Sequence, residues 1–104
     1  MKEMRCSRNI HPGGMIKEEI EYRKLSKREL SKKMDISYKL FTDILNEKKP
    51  LTEDIAVKLE KVLGIPAYFY MSIQVDYNIR ALEENKKHVK LLEKLRNLGK
   101  NVAL

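Results

Sequence analysis

Lys39, Thr42, Asp43 and Asn46 recur at i, i+3, i+4 and i+7. A helix through them carries an ammonium, a hydroxyl, a carboxylate and an amide on one outward face, with Tyr38 at its leading edge. These groups donate and accept hydrogen bonds, so the chemistry on offer is recognition of another polar surface. Charge narrows which surface. The chain holds 22 Lys and Arg against 15 Asp and Glu, a net charge of +7. Between Arg23 and Lys49 there are nine basic and four acidic residues, so +5 of that charge surrounds this face. Contact with a phosphate backbone needs cations clustered in this way. Catalysis finds no comparable support. His11, His88 and the single Cys6 lie far apart and lack the local spacing of a metal site. No Gly-rich phosphate loop is present, and the acids fall on solvated helix faces. The sequence therefore predicts neither an enzyme nor a bound metal or cofactor.

The polar face needs a scaffold, and Leu25 to Lys49 supplies one. Ser26 and Glu29 stand three apart as a capping box, with Leu25 and Leu30 in the staple positions around it. Leu30 and Met34 share one helical face. Asp35 can take the left-handed conformation that ends a helix, less readily than Gly would. Ile36 is the apolar residue of the turn, and Ser37 caps a second helix. Phe41, Ile44 and Leu45 form its inward stripe. Two helices, a short turn and a polar outer face are the helix-turn-helix signature. Such a unit sets the N-terminal part of its second helix in the DNA major groove. A plain helical hairpin with solvated faces is the alternative for the pattern alone.

The rest of the chain supports this unit. At 104 residues it can form one domain with a modest core. Residues 1–9 are polar and expected to be mobile. A first helix from about Gly14 to Lys24 turns Ile16 and Ile20 inward and Glu18, Glu19 and Glu21 outward. Thr52 caps a fourth helix with a buried stripe of Ile55, Leu59, Val62 and Leu63, stopped at Gly64. Pro66 opens a fifth, in which Tyr68, Phe69, Tyr70 and Met71 are expected to close the core, a binding surface for a partner being the other reading. Beyond it, Val75, Ile79 and Leu82 form one apolar stripe and Val89, Leu92 and Leu95 another, both read as dimer or partner contacts. The expected division is a helix-turn-helix domain at 10–72 and a helical tail at 73–104. One cysteine allows no internal disulfide and fits a reducing cytosol. No apolar run approaches 18 residues, and the first nine residues lack the apolar core of a signal peptide. The expectation is a cytoplasmic protein with no membrane partner.

Several separated motifs fall in one register: Ile10-His11-Pro12-Gly13, LSKREL, the Ser37-led helix ending Ile44-Leu45-Asn46, Lys48-Lys49-Pro50-Leu51-Thr52, and Leu63-Gly64-Ile65-Pro66. Over about residues 10–80 the chain resembles the HigA-type antitoxins of the Xre/Cro-like helix-turn-helix superfamily. The resemblance implies an all-α, five-helix lambda-repressor-like domain, here with a C-terminal helical extension. It implies a homodimer that binds double-stranded operator DNA as an autoregulating repressor. It also implies neutralisation of a HigB-type toxin, a ribosome-dependent mRNA endonuclease of RelE-like fold. By matching position, Tyr38, Lys39, Thr42 and Asp43 are the base-edge residues, and Lys27, Lys48 and Lys49 the phosphate contacts. The chain departs from the family in four places. Asp35 and Glu47 replace helix-ending glycines, Leu40 replaces a small hydroxyl residue, and Asp43 replaces a basic or amide residue. An acid in the groove repels phosphate but can accept from a cytosine amino group. Two other readings stand beside this one: a phage-type repressor without a toxin, and a toxin inhibitor that acts mainly on protein.

Overall fold

The computed structural model of the chain describes residues 9–102. They form α1 (Pro12–Tyr22), α2 (Lys27–Lys33), α3 (Tyr38–Leu45), α4 (Glu53–Leu63), α5 (Ala67–Glu84) and α6 (Lys86–Val102). The expected mobility of residues 1–9 falls, apart from Asn9, outside the described residues, as does Cys6.

The first N–H groups of a helix have no partner within it, so each start needs an acceptor. His11 Nδ1 accepts from Gly13 N at 2.9 Å. Ser26 Oγ accepts from Glu29 N at 3.1 Å, and Ser37 Oγ from Leu40 N at 3.0 Å. Thr52 Oγ1 accepts from Ile55 N at 3.4 Å. Pro66 has no such side chain, and Glu60 Oε1 accepts from Ala67 N instead at 2.9 Å. Asn85 Oδ1 accepts from Lys87 N at 2.9 Å and so opens α6. His11 moves the start of α1 to Pro12, earlier than the expected Gly14. A proline costs nothing at that first helical position, where no N–H partner is needed.

The ends of α1, α2 and α3 are built alike. After α1, Lys24 N donates to the Glu21 carbonyl and Leu25 N to the Ile20 carbonyl. After α2, Asp35 N bonds Lys32 and Ile36 N bonds Ser31. After α3, Glu47 N bonds Ile44 and Lys48 N bonds Asp43. This paired closure is the Schellman motif, which needs a left-handed residue at its corner. Lys24, Asp35 and Glu47 take that conformation at φ 58°, 57° and 66°, and only α4 ends on a glycine there, Gly64 at φ 79°. Left-handed backbone is why α1 stops at Tyr22 and not at Lys24. A side chain at such a corner crowds the following carbonyl oxygen, a cost of about 1–2 kcal/mol, less for Asp. Lys24→Gly is therefore expected to stabilise the fold by about 1 kcal/mol, and Asp35→Gly by about 0.5 kcal/mol, after glycine's extra unfolded-state entropy is counted. Urea midpoints at constant m measure this; lower midpoints would show that the corners carry no strain.

Ile16 and Ile20 from α1, Phe41, Ile44 and Leu45 from α3, Ile55, Leu59 and Leu63 from α4, and Tyr70 from α5 enclose one core. Burial of each such side chain contributes about 1.5–3 kcal/mol before entropy is subtracted. Three expectations fail here. Val62 is 39% exposed, and Ala56 takes the inward place on α4. Tyr68 is 78% exposed and Phe69 is also exposed; of that aromatic run only Tyr70 is buried. Dense apolar sequence in α5 thus serves two faces, one toward the core and one away from it.

Candidate nucleic-acid interface

Gly13, Lys17 and Glu21 make an i, i+4, i+8 row along α1, and this row sets α1 against the end of α3 and the start of α2. A Cβ on Gly13 would fall on the Ile44 carbonyl oxygen, so only glycine lets α1 approach the end of α3 this closely. One turn on, Lys17 Nζ donates to Asn46 Oδ1 at 3.3 Å. Another turn on, Glu21 Oε2 pairs with Lys27 Nζ at 3.0 Å. The hydrogen bond and charge of Lys27 hold the Glu21 carboxyl below its ordinary range. His11 anchors the start of the row. It is buried, and its ring meets Tyr77 edge-on at 4.8 Å. Burial pushes its pKa down, against the Glu47 carboxylate and a hydrogen bond to the Lys49 backbone that push it up.

Phe41, Ile44 and Leu45 bury the inner side of α3, which presents the other side outward. Tyr38, Lys39, Thr42 and Asp43 are brought together there. Lys39 Nζ lies 3.2 Å from Asp43 Oδ2; the lysine side chain is 85% exposed and the aspartate 16%. The acid is therefore tucked against the helix while the cation leads. Thr42 Oγ1 donates to the Lys39 carbonyl at 3.0 Å, leaving its oxygen able to accept. Leu40 is half-buried against the core, so its departure from a small hydroxyl residue affects packing more than the outer face. Lys27, Tyr38 and Thr42 border a cleft shared with Lys17, Leu45 and Asn46. Lys48 and Lys49 are exposed just beyond α3, and their backbone N–H groups donate to the Asp43 carbonyl at 2.7 and 3.3 Å. Val75, Ile79 and Leu82 on α5, and Val89, Leu92 and Leu95 on α6, are exposed and take no part in this face.

Two residues of the face escaped the sequence reading. Arg28 lies over the Tyr38 ring, its guanidinium carbon 4.1 Å from the centroid. The stack ties the start of α2 to the start of α3. Lys17 joins through Asn46. Its signal was the spacing from Gly13, which is informative only once α1 is known to cross α3 at that glycine. Among the described residues no group of three or more His, Cys, Asp or Glu could hold a metal ion. Among them, too, no helix is long and apolar enough to cross a membrane.

Two short capped helices joined through a left-handed corner, the second polar on its outer face, are a helix-turn-helix unit. No protein-family model matches the sequence. An addiction-module antidote protein of a HigA family from Coxiella burnetii is 35% identical with a TM-score of 0.72, the match covering 84% of this chain and 94% of that one. The Pseudomonas aeruginosa antitoxin HigA, solved with the higBA promoter, is 25% identical with a TM-score of 0.73, over 84% and 94% of the two chains. The Escherichia coli K12 helix-turn-helix-type transcriptional regulator YddM is 30% identical over 81 residues, 78% of this chain and 86% of that protein. This chain belongs to the HigA family of Xre-like helix-turn-helix antitoxins.

Proposed function

We propose that the protein is a DNA-binding antitoxin that represses its own operon and neutralises a HigB-type mRNA endonuclease. The observation that carries the first half is the outer face of α3. It sets Tyr38, Lys39, Thr42 and Asp43 together at the start of a helix braced by α1 and α2. In the dimer of a helix-turn-helix protein, two such faces stand about 34 Å apart, one DNA turn, and read paired half-sites. Lys27, Lys48 and Lys49, with Lys17 beside them, meet phosphates and fix the register. Residues 10–72 do the reading, and 73–104 serve association. The toxin half rests on family membership.

Titration of the DNA upstream of the gene tests the reading. Lys39→Ala is expected to weaken specific binding by about 1–3 kcal/mol if its ammonium meets a guanine edge. Lys48→Ala is expected to weaken all sequences nearly equally and to lower the salt slope by about one unit. Asp43→Ala releases Lys39 and relaxes base preference or raises non-specific affinity. Three variants indistinguishable from wild type would place the DNA face elsewhere. The Lys39–Asp43 pair favours a second reading, an antitoxin that acts mainly on its toxin protein. That reading gains if the wild-type chain binds no operator while a neighbouring toxin co-purifies with it.

A further inference from the structure

Arg28 stands second in α2, and Tyr38 stands first in α3. The left-handed corner at Asp35 turns the chain back between them. Residues ten apart in sequence therefore meet, with the Arg28 guanidinium carbon 4.1 Å from the centre of the Tyr38 ring. At that distance a cation is attracted to the ring face. The backbone of Arg28 is fixed as well, because the buried Ser31 donates its hydroxyl to the Arg28 carbonyl at 2.7 Å.

The neighbouring cations are committed elsewhere. Lys17 donates to Asn46, Lys27 pairs with Glu21, and Lys39 pairs with Asp43. Among the described residues the Arg28 side chain has no hydrogen bond and no ion pair; the ring alone holds it. Stacking uses the flat face of a guanidinium. Its N–H donors lie in the plane, pointing away from the ring, and stay available. Arg28 is thus held in place with its donors uncommitted, and it is exposed. Its location follows from its support. The first residues of the second helix are the part of such a unit that enters the major groove. A group stacked on Tyr38 shares that groove, whereas Lys27, one residue earlier, is turned toward α1.

We propose that Arg28 reads a guanine edge in each half-site, its fork donating to O6 and N7, and that Tyr38 is the positioning residue that aims it. A guanidinium matches those two acceptors at once, which a lysine ammonium does not. Tyr38 then contributes through its ring, and its hydroxyl is not the reading group. The inference rests on the DNA reading given above and adds a specificity-determining residue on α2 to the outer face of α3.

The full chain is used to select duplexes from a randomised pool, and the enriched duplex is then titrated with single base changes. Arg28→Lys keeps the charge and loses the fork. It is expected to lower the ratio of specific to non-specific affinity about tenfold or more, and to broaden preference at one guanine of each half-site. Tyr38→Leu is expected to broaden the same position, and Tyr38→Phe to restore it. The double variant Arg28→Lys with Tyr38→Leu is expected to lose no more than the worse single one, because the two residues act through one contact. Base preference is the readout that a merely structural stack would not move. The proposal is overturned if Arg28→Lys selects the same bases as wild type, or if it weakens all sequences equally, which marks a phosphate contact. Tyr38→Phe as broad as Tyr38→Leu would also overturn it, since the hydroxyl would then be reading. A wild-type chain that enriches no sequence would overturn the DNA reading and this inference together. Selectivity lost in Lys39→Ala but kept in Arg28→Lys would overturn this inference alone.

Discussion

Gly13→Ala is expected to destabilise the protein by about 2 kcal/mol and to disturb the outer face of α3 with it. The added methyl falls on the Ile44 carbonyl, a backbone atom that can yield only by moving α3. Overpacking of this kind costs about 1–3 kcal/mol, and the upper end applies where backbone must shift. Alanine returns about 1 kcal/mol through its better helix propensity. Gly14→Ala is the matched control. Its methyl would meet only the Glu47 carboxylate oxygen, at 2.7 Å, the far end of a flexible side chain. The neighbour swings aside, and the stability change is expected within about 0.5 kcal/mol of zero. Denaturant unfolding of the two variants compares them directly. Equal losses at both positions would mean that α1 and α3 do not approach at Gly13.

His11→Ala is expected to cost about 2 kcal/mol at pH 8. It removes the helix cap, the buried ring contact with Tyr77 and the bond to the Lys49 backbone. His11→Asn separates the cap from the titration, because Asn also caps but takes no proton. Nδ1 accepts from Gly13 N, so the folded imidazole is neutral and carries its proton on Nε2. Its folded pKa lies below the ordinary 6.5. As pH falls through that value the unfolded chain takes up a proton that the folded chain refuses. Wild-type stability is thus complete above 6.5, declines as pH falls toward the folded pKa, and then levels. The window opens at the ordinary histidine value and runs downward from there, and the Asn variant isolates the part that His11 contributes. The His11→Asn protein is expected to be flat where wild type declines; parallel curves would assign the slope to another group.

Where local chemistry decides the structure, the sequence was easy to read. Ser26, Ser37 and Thr52 each sit three residues before the N–H they bond, and those caps place the starts of α2, α3 and α4. The corner at Asp35 was legible because aspartate is one of the few residues that tolerates it. Lys24 was not, since nothing about lysine announces a left-handed backbone; only the bonds to Glu21 and Ile20 require it. Tyr68 and Phe69 misled for another reason. Apolar character says that a side chain is to be covered but not by which chain. Arg28 over Tyr38 and Lys17 beside Asn46 are contacts between helices, and their crossing geometry is written in no single helix.

The three side-chain-bearing corners have a consequence for how long the molecule lasts. Proteases cut the opened chain, and where opening and closing are fast their rate follows the open population. A gain of 1 kcal/mol at a corner lowers that population about fivefold. Lys24 and Asp35 belong neither to the outer face of α3 nor to the exposed row on α5 and α6. Glycine at these two positions is expected to lengthen the protein's half-life while leaving both of those surfaces unaltered, so persistence is set at places in the chain apart from them.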